Sequence, residues 1–168
     1  MPSRSSDPDR KFHVSVVCTG NICRSPMAAI VLRKALDDAG LGDRVRVSSA
    51  GTGPWYEGGP AHEATRRVLA AGGYLTEHIA HQITPEELPE IDLVLAADRT
   101  HLIALRKLDR KGHPDAARIA LFRSFDPSAD HDEIPDPYGG PDSEYTDVLA
   151  MVRAAVPGIV DEIRRRLG

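Results

Sequence analysis

The residues of this 168-residue chain best suited to chemistry sit in one short run, VVCTGNICRSPMAA, residues 16–29. The run holds both cysteines of the chain, Cys18 and Cys23, with Arg24 and Ser25 directly behind them. An apolar stretch ends at Cys18, Gly20 and Asn21 turn the chain, and Pro26 opens a run of helix formers. Strand, turn and helix N-terminus in that order make a concave anion site, because successive backbone N–H groups and the helix dipole point into it. Gly20 and Asn21 are residue types that tolerate the unusual backbone angles such a turn requires. The same positive field stabilises a thiolate, which makes Cys18 a candidate nucleophile. Arg24 brings a planar fork able to hold two phosphate oxygens at once, and Ser25 a hydroxyl for the sulfur. The chemistry these types share is phosphoryl transfer to sulfur.

Such a transfer also needs an acid for the departing oxygen and then a base for water, and one carboxylate can do both. Among 25 acidic residues Asp136 stands out, because Pro135 and Pro137 stiffen it on both sides. It lies in a Pro/Gly/Asp-rich segment from Asp126 to Asp142, long enough to suit an active-site loop better than a passive connector. Trp55 and Tyr138 offer flat apolar walls between which a substrate ring can slide, with Ile22 as a candidate floor. From residue types alone a plainer alternative stays open. Cys18 can be a buried thiol at a strand end, Asp136 a turn residue, and the two aromatics plugs for their own loops.

The elements that must position these groups are legible as a rhythm. Four short apolar runs, His13–Cys18, Val45–Ala50, Ile91–Ala97 and Ala117–Phe122, alternate with helical patterns and imply a mainly parallel sheet with helices on both faces. The pattern predicts helices over Pro26–Ala39, Pro60–Ala71, Arg99–Leu108 and Ser143–Leu167, with Pro157 kinking or breaking the last. Thr84 followed by Glu87 predicts a short capped helix before the third strand. In an open sheet of this kind ligands sit beyond the carboxyl ends of the strands, where the Cys18 loop is expected.

Length and composition, 41% hydrophobic and 27% charged, fit one domain over residues 11–168 behind a frayed polar tail, residues 1–10. A net charge of -4 and 5% aromatics argue against a nucleic-acid partner. No stretch reads as a secretory signal or a membrane span, so no membrane partner is expected. Two cysteines five positions apart make no disulfide framework, which suits a cytoplasmic setting. The seven histidines show no metal-ligand spacing: His131 reads as part of an acidic solvated loop and, His78 apart, the others as surface. The Ala/Arg/Gly/Pro bias hints at a GC-rich bacterial source.

With these residues in view, the chain closely resembles the low-molecular-weight protein tyrosine phosphatases. Their signature V-C-x-G-N-x-C-R-S-P is matched at every specified position from Val17 to Pro26. SSAGT with Trp55 shortly after, HIAHQIT, DLVLAADRTH and PDPYGG follow in the family's order. The resemblance implies strand order 2-1-3-4 and hydrolysis of phosphotyrosine in proteins, and of small aryl phosphates, through a cysteinyl-phosphate intermediate without metal or cofactor. It implies Cys18 as nucleophile, Arg24 as phosphate clamp, Asp136 as acid and base, and the amides from Thr19 through Gly20, Ile22 and Cys23 to Ser25 as cradle. Asn21, Ser25, Ser49 and His78 correspond to the network that holds the family's loop in shape. Cys23, from its residue type either a space filler or a partner for Cys18, corresponds to a thiol that captures oxidised Cys18 as a reversible disulfide. The implied partners are tyrosine-phosphorylated proteins in bacterial signalling, with inorganic phosphate or other oxyanions in the loop. Gly139 departs from the pattern, since many members carry a second aromatic there. Rival readings are an arsenate reductase of the same fold, for which no thiol follows Cys23, and a phosphate-binding module without turnover.

Overall fold

Val14, Val16 and Val17 are fully buried on β1 (Phe12–Cys18), which is apolar on both faces because helices cover both sides of the sheet. The computed structural model describes residues 9–109 and 118–168. Helix α1 (Arg24–Asp38) returns the chain to β2 (Val45–Gly51), and α2 (Glu63–Ala71), β3 (Leu93–Ala96), α3 (Arg99–Leu108), β4 (Ile119–Leu121) and α4 (Asp142–Leu167) follow. All strand pairs are parallel in the order β2-β1-β3-β4, as expected, with Cys18 opposite Gly51 and Val17 opposite Ala96. The loops leaving β1 and β3 therefore diverge at the point where the strand order reverses, opening a crevice at the carboxyl ends of the strands.

One core joins α1, α2 and α4 to the β1 face that carries Val14 and Val16. The other joins Val17 and Val94 to Leu105 of α3, Leu88 and Ile91. Helix α4 contributes Val148, Val152, Ala155, Ile159 and Ile163 to the first core, the face expected from its periodicity. Pro157 does not break it: the helix is continuous over 26 residues. Pro157 and Arg153 both lie on the exposed side, so the carbonyl that loses its intrahelical donor faces water. Gly158 sits against the 3-10 turn Phe122–Phe125, where a Cβ would stand 2.1 Å from the Phe125 carbonyl oxygen.

Other boundaries shift for identifiable reasons. Helix α2 begins three residues after Pro60, because the His62 side chain caps it by accepting the Ala64 N–H. Thr84 and Glu87 exchange the expected reciprocal hydrogen bonds, yet they close a turn that leads into the 3-10 helix Leu88–Glu90 rather than an α-helix. Of the predicted tail only residues 9 and 10 are described, and the start of the predicted fourth strand, Ala117, lies outside the described residues. Among the described residues no helix is long and apolar enough to cross a membrane.

Candidate active site

Cys18 ends β1 and the chain curls through residues 19–23 into α1, whose first residue is Arg24. The curl depends on Asn21, which takes φ +58°, a left-handed conformation open to asparagine at modest cost. Its side chain then becomes the hub of the loop. Nδ2 donates to Ser25 Oγ at 2.7 Å and to Ser49 Oγ at 2.9 Å, while Oδ1 accepts the His81 N–H at 2.9 Å. His78 Nε2 donates to the Asn21 carbonyl at 2.7 Å, and burial lowers the pKa of that imidazole. The four residues expected to support the loop are thus joined in one network, and the His81 backbone is a member that sequence reading missed.

Ser25 Oγ lies 3.0 Å from Cys18 Sγ. Because Ser25 already accepts from Asn21, its own proton is free for the sulfur or for the Ala50 carbonyl at 3.4 Å. Arg24 is almost fully buried, with Nη1 donating to Asp98 Oδ2 at 2.8 Å and to the Ile134 carbonyl at 2.9 Å. Its Nη2 stands 3.8 Å from Asp136 Oδ2. One edge of the guanidinium is fastened to the protein and Nη2 turns toward the acid loop.

Asp98 is the N-cap of α3, accepting from the Thr100 and His101 amides through Oδ1 while Oδ2 holds Arg24. Burial pushes its carboxyl up, but hydrogen bonds from Thr100 and Arg24 outweigh burial and bring it down to about 2. A carboxylate so committed stays ionised and cannot serve as the proton donor. Asp136 is 56% exposed, its Oδ1 accepting the Tyr138 N–H at 3.1 Å while Oδ2 faces Arg24. Its loop is tied down just upstream, where the Ile134 N–H donates to the Ala97 carbonyl at 2.8 Å and Arg123 Nη1 to the Glu133 carbonyl at 2.9 Å. Downstream Gly139 takes φ +85°, so the residue that departs from the family pattern occupies a position where an L side chain is strained.

Cys18, Thr19, Gly20, Ile22, Cys23, Arg24, Trp55, Tyr56, Asp136 and Tyr138 enclose a cavity of about 330 Å³. Of the residues expected to contact substrate, Thr19, Gly20, Ile22, Cys23, Trp55 and Tyr138 line it, whereas Ser25 at the end of the expected cradle does not. Trp55 is 69% exposed where it lines this cavity, and its ring covers Gly53 so closely that a Cβ there would clash. Tyr56 was not anticipated. Its ring lies on Gly20, 2.8 Å from where a Cβ would be, so the glycine needed for the turn also admits the aromatic.

The histidines required correction. His101 is buried, not on the surface, and its Nε2 lies 2.8 Å from Thr19 Oγ1. His13 is half-buried at the far end of β1 against Ser48. His131 is exposed in its acidic loop, as expected, with its ring beside Arg123 Nη1. Cys23 is buried with its sulfur 3.6 Å from the Tyr145 hydroxyl, and burial pushes its thiol up to about 11.

Comparison with known proteins agrees with this arrangement. The profile described as low molecular weight phosphotyrosine protein phosphatase matches residues 13–167. The chain belongs to that family. It is 47% identical over 164 residues to low molecular weight protein-tyrosine phosphatase A of Mycobacterium tuberculosis, covering 96% of each chain. It is 46% identical over 158 residues to the low molecular weight protein-tyrosine-phosphatase of Streptomyces coelicolor, covering 93% of this chain and 96% of that one. Among solved structures, a protein tyrosine phosphatase from Entamoeba histolytica with Hepes in its active site superposes with a TM-score of 0.86. That pair shares 25% identity and covers 94% of this chain and 100% of the other. Members of the low molecular weight family are cysteine-based phosphatases that act on phosphorylated proteins.

Proposed function

We propose that this chain hydrolyses phosphotyrosine in proteins, and small aryl phosphates, through a phosphocysteine intermediate on Cys18. In the first step the thiolate attacks phosphorus, the bond to the phenolic oxygen breaks, and Asp136 gives that oxygen its proton. Ser25 donates to the sulfur, while Arg24 and the amides of residues 19–25 hold the phosphoryl oxygens as charge shifts among them. In the second step Asp136 takes a proton from water, which attacks phosphorus and releases inorganic phosphate and the thiolate. The observation that carries this reading is the convergence of Cys18, Arg24 and Asp136 on one cavity walled by Trp55, Tyr56 and Tyr138. A cavity with aromatic walls suits a ring-bearing substrate. A cytoplasmic setting, which keeps thiols reduced, suits a reaction that needs Cys18 as a free thiol.

The test is hydrolysis of phosphotyrosyl peptide and nitrophenyl phosphate in EDTA by the wild type and Cys18→Ser, with arsenate plus thiol as a parallel substrate. The wild type should turn over both phosphates and produce no arsenite. Cys18→Ser should bind phosphate yet lose nearly all turnover, because an alkoxide is not accessible near pH 7 without an adjacent base. A wild type that binds phosphate without turnover would support a binding module, and arsenite production a reductase.

A further inference from the structure

A second cavity, of about 570 Å³, opens beside the first, and Ile22, Trp55 and Tyr56 line both. It extends past Glu57 and Pro60 to the start of α2, where His62, Glu63 and Arg66 line it. Among the described residues of that lining Arg66 is the one arginine or lysine, and it is half-buried. No described residue forms an ion pair or a side-chain hydrogen bond with its guanidinium, and its Nε is out of water without a partner. Arg67, the next residue, shows the contrast: its Nε and Nη2 hold both oxygens of Asp142 at 2.9 and 3.0 Å. The acids of the cavity are engaged elsewhere. Glu57 Oε2 accepts the Gln82 N–H at 3.0 Å with Oε1 3.6 Å from His81 Nδ1, and Glu63 Oε2 faces Arg67 Nη1 at 3.9 Å. The free charge of the second cavity is therefore a cation, and its planar fork fits the two oxygens of a carboxylate.

We propose that the second cavity receives the residues flanking the phosphotyrosine of a protein substrate, and that Arg66 selects an acidic side chain among them. The two cavities share a wall, so a substrate whose phosphorylated ring fills the first brings its neighbouring residues to the second. An extended peptide advances about 3.3 Å per residue, which puts the residues within about three positions of the ring in reach. Trp55 and Tyr56 then serve both cavities, with the substrate ring on one side and the flanking chain on the other. The inference rests on the reading that this chain hydrolyses phosphotyrosine in proteins, and it adds a sequence preference to that reading.

The test uses phosphotyrosyl peptides on an alanine background, each with a single Glu, Gln or Lys at one position within about three residues of the phosphotyrosine. The wild type, Arg66→Gln and Arg66→Glu would be compared by kcat/KM, with nitrophenyl phosphate as a reference substrate that has no flanking residues. Ratios between peptides are taken within one variant, so a change in overall activity cancels. In the wild type Glu should exceed Gln by about fivefold at the position that reaches Arg66, the scale of a partly exposed ion pair. The excess should shrink in high salt. Arg66→Gln should bring that ratio to about one, and Arg66→Glu should make Lys the preferred residue there. A preference for Glu that Arg66→Gln retains would overturn the proposal. If the wild type turns over nitrophenyl phosphate but none of the peptides, the reading of protein phosphotyrosine falls and this inference with it. If it turns over every peptide at one rate, only this inference falls.

Discussion

Arg24 and Asp98 are bound Nη1 to Oδ2 at 2.8 Å, joining the first residue of α1 to the N-cap of α3 across the crevice where the sheet order reverses. Asp98→Asn keeps an acceptor for the cap but removes the charge that holds Arg24. Phosphate inhibition and kcat/KM on nitrophenyl phosphate should then both weaken by about tenfold, the worth of a charge-assisted hydrogen bond. Arg24→Lys should lose more, about a hundredfold, because an ammonium cannot hold Asp98, the Ile134 carbonyl and two phosphate oxygens in one plane. Steady-state kinetics with phosphate as inhibitor measures both. An Arg24→Lys variant with most of its activity would rule out the bidentate clamp.

Asp136→Asn should discriminate among leaving groups. Tyrosine's phenol has a pKa of about 10, so its expulsion as a bare anion is costly, whereas nitrophenolate departs readily unaided. Across a series of aryl phosphates at matched pH, the loss in kcat should grow with the pKa of the leaving phenol. A uniform loss would assign Asp136 to loop shape alone. Asp98 could not then replace it, because both of its oxygens are engaged and its carboxyl is held near 2.

Cys23 faces Tyr145, and its raised thiol makes it a weak competitor for phosphoryl groups. Peroxide should oxidise Cys18 to a sulfenic acid, and attack by the Cys23 thiolate should expel hydroxide and form a disulfide that thiols reverse. Cys23→Ser should keep most of the activity but fail to recover with thiol after peroxide. Full recovery would show that Cys23 only fills space.

Two histidines should make the fold weaken in mild acid. Burial lowers both His13 and His101 to about 4, with the Arg46 charge adding to the effect at His13. In the unfolded chain each titrates near 6.5, so between about pH 6.5 and 4 the unfolded state binds more protons. Stability should therefore fall as pH drops through that window. His13→Gln, remote from the cavity, should reduce the difference between urea midpoints at pH 7 and pH 5. An unchanged difference would show that His13 does not contribute.

What the sequence determined by itself is local. The run from Val17 to Pro26 encodes strand, left-handed turn and helix start, and Pro135 and Pro137 stiffen the chain on both sides of Asp136. Apolar periodicity set the strand and helix order for the same reason, because each element carries its own pattern of burial. The tertiary structure decided everything that joins separate segments. His101 looks like any helical histidine until β3 ends beside β1 and brings it to Thr19. Asp98 caps α3 within its own segment, but its bond to Arg24 joins residues 74 apart. Tyr56 gains its place because Gly20 leaves room for the ring, and Pro157 is tolerated because its side of α4 faces water. Burial and hydrogen-bond partners across the fold depend on which surfaces meet, and no single segment specifies that meeting.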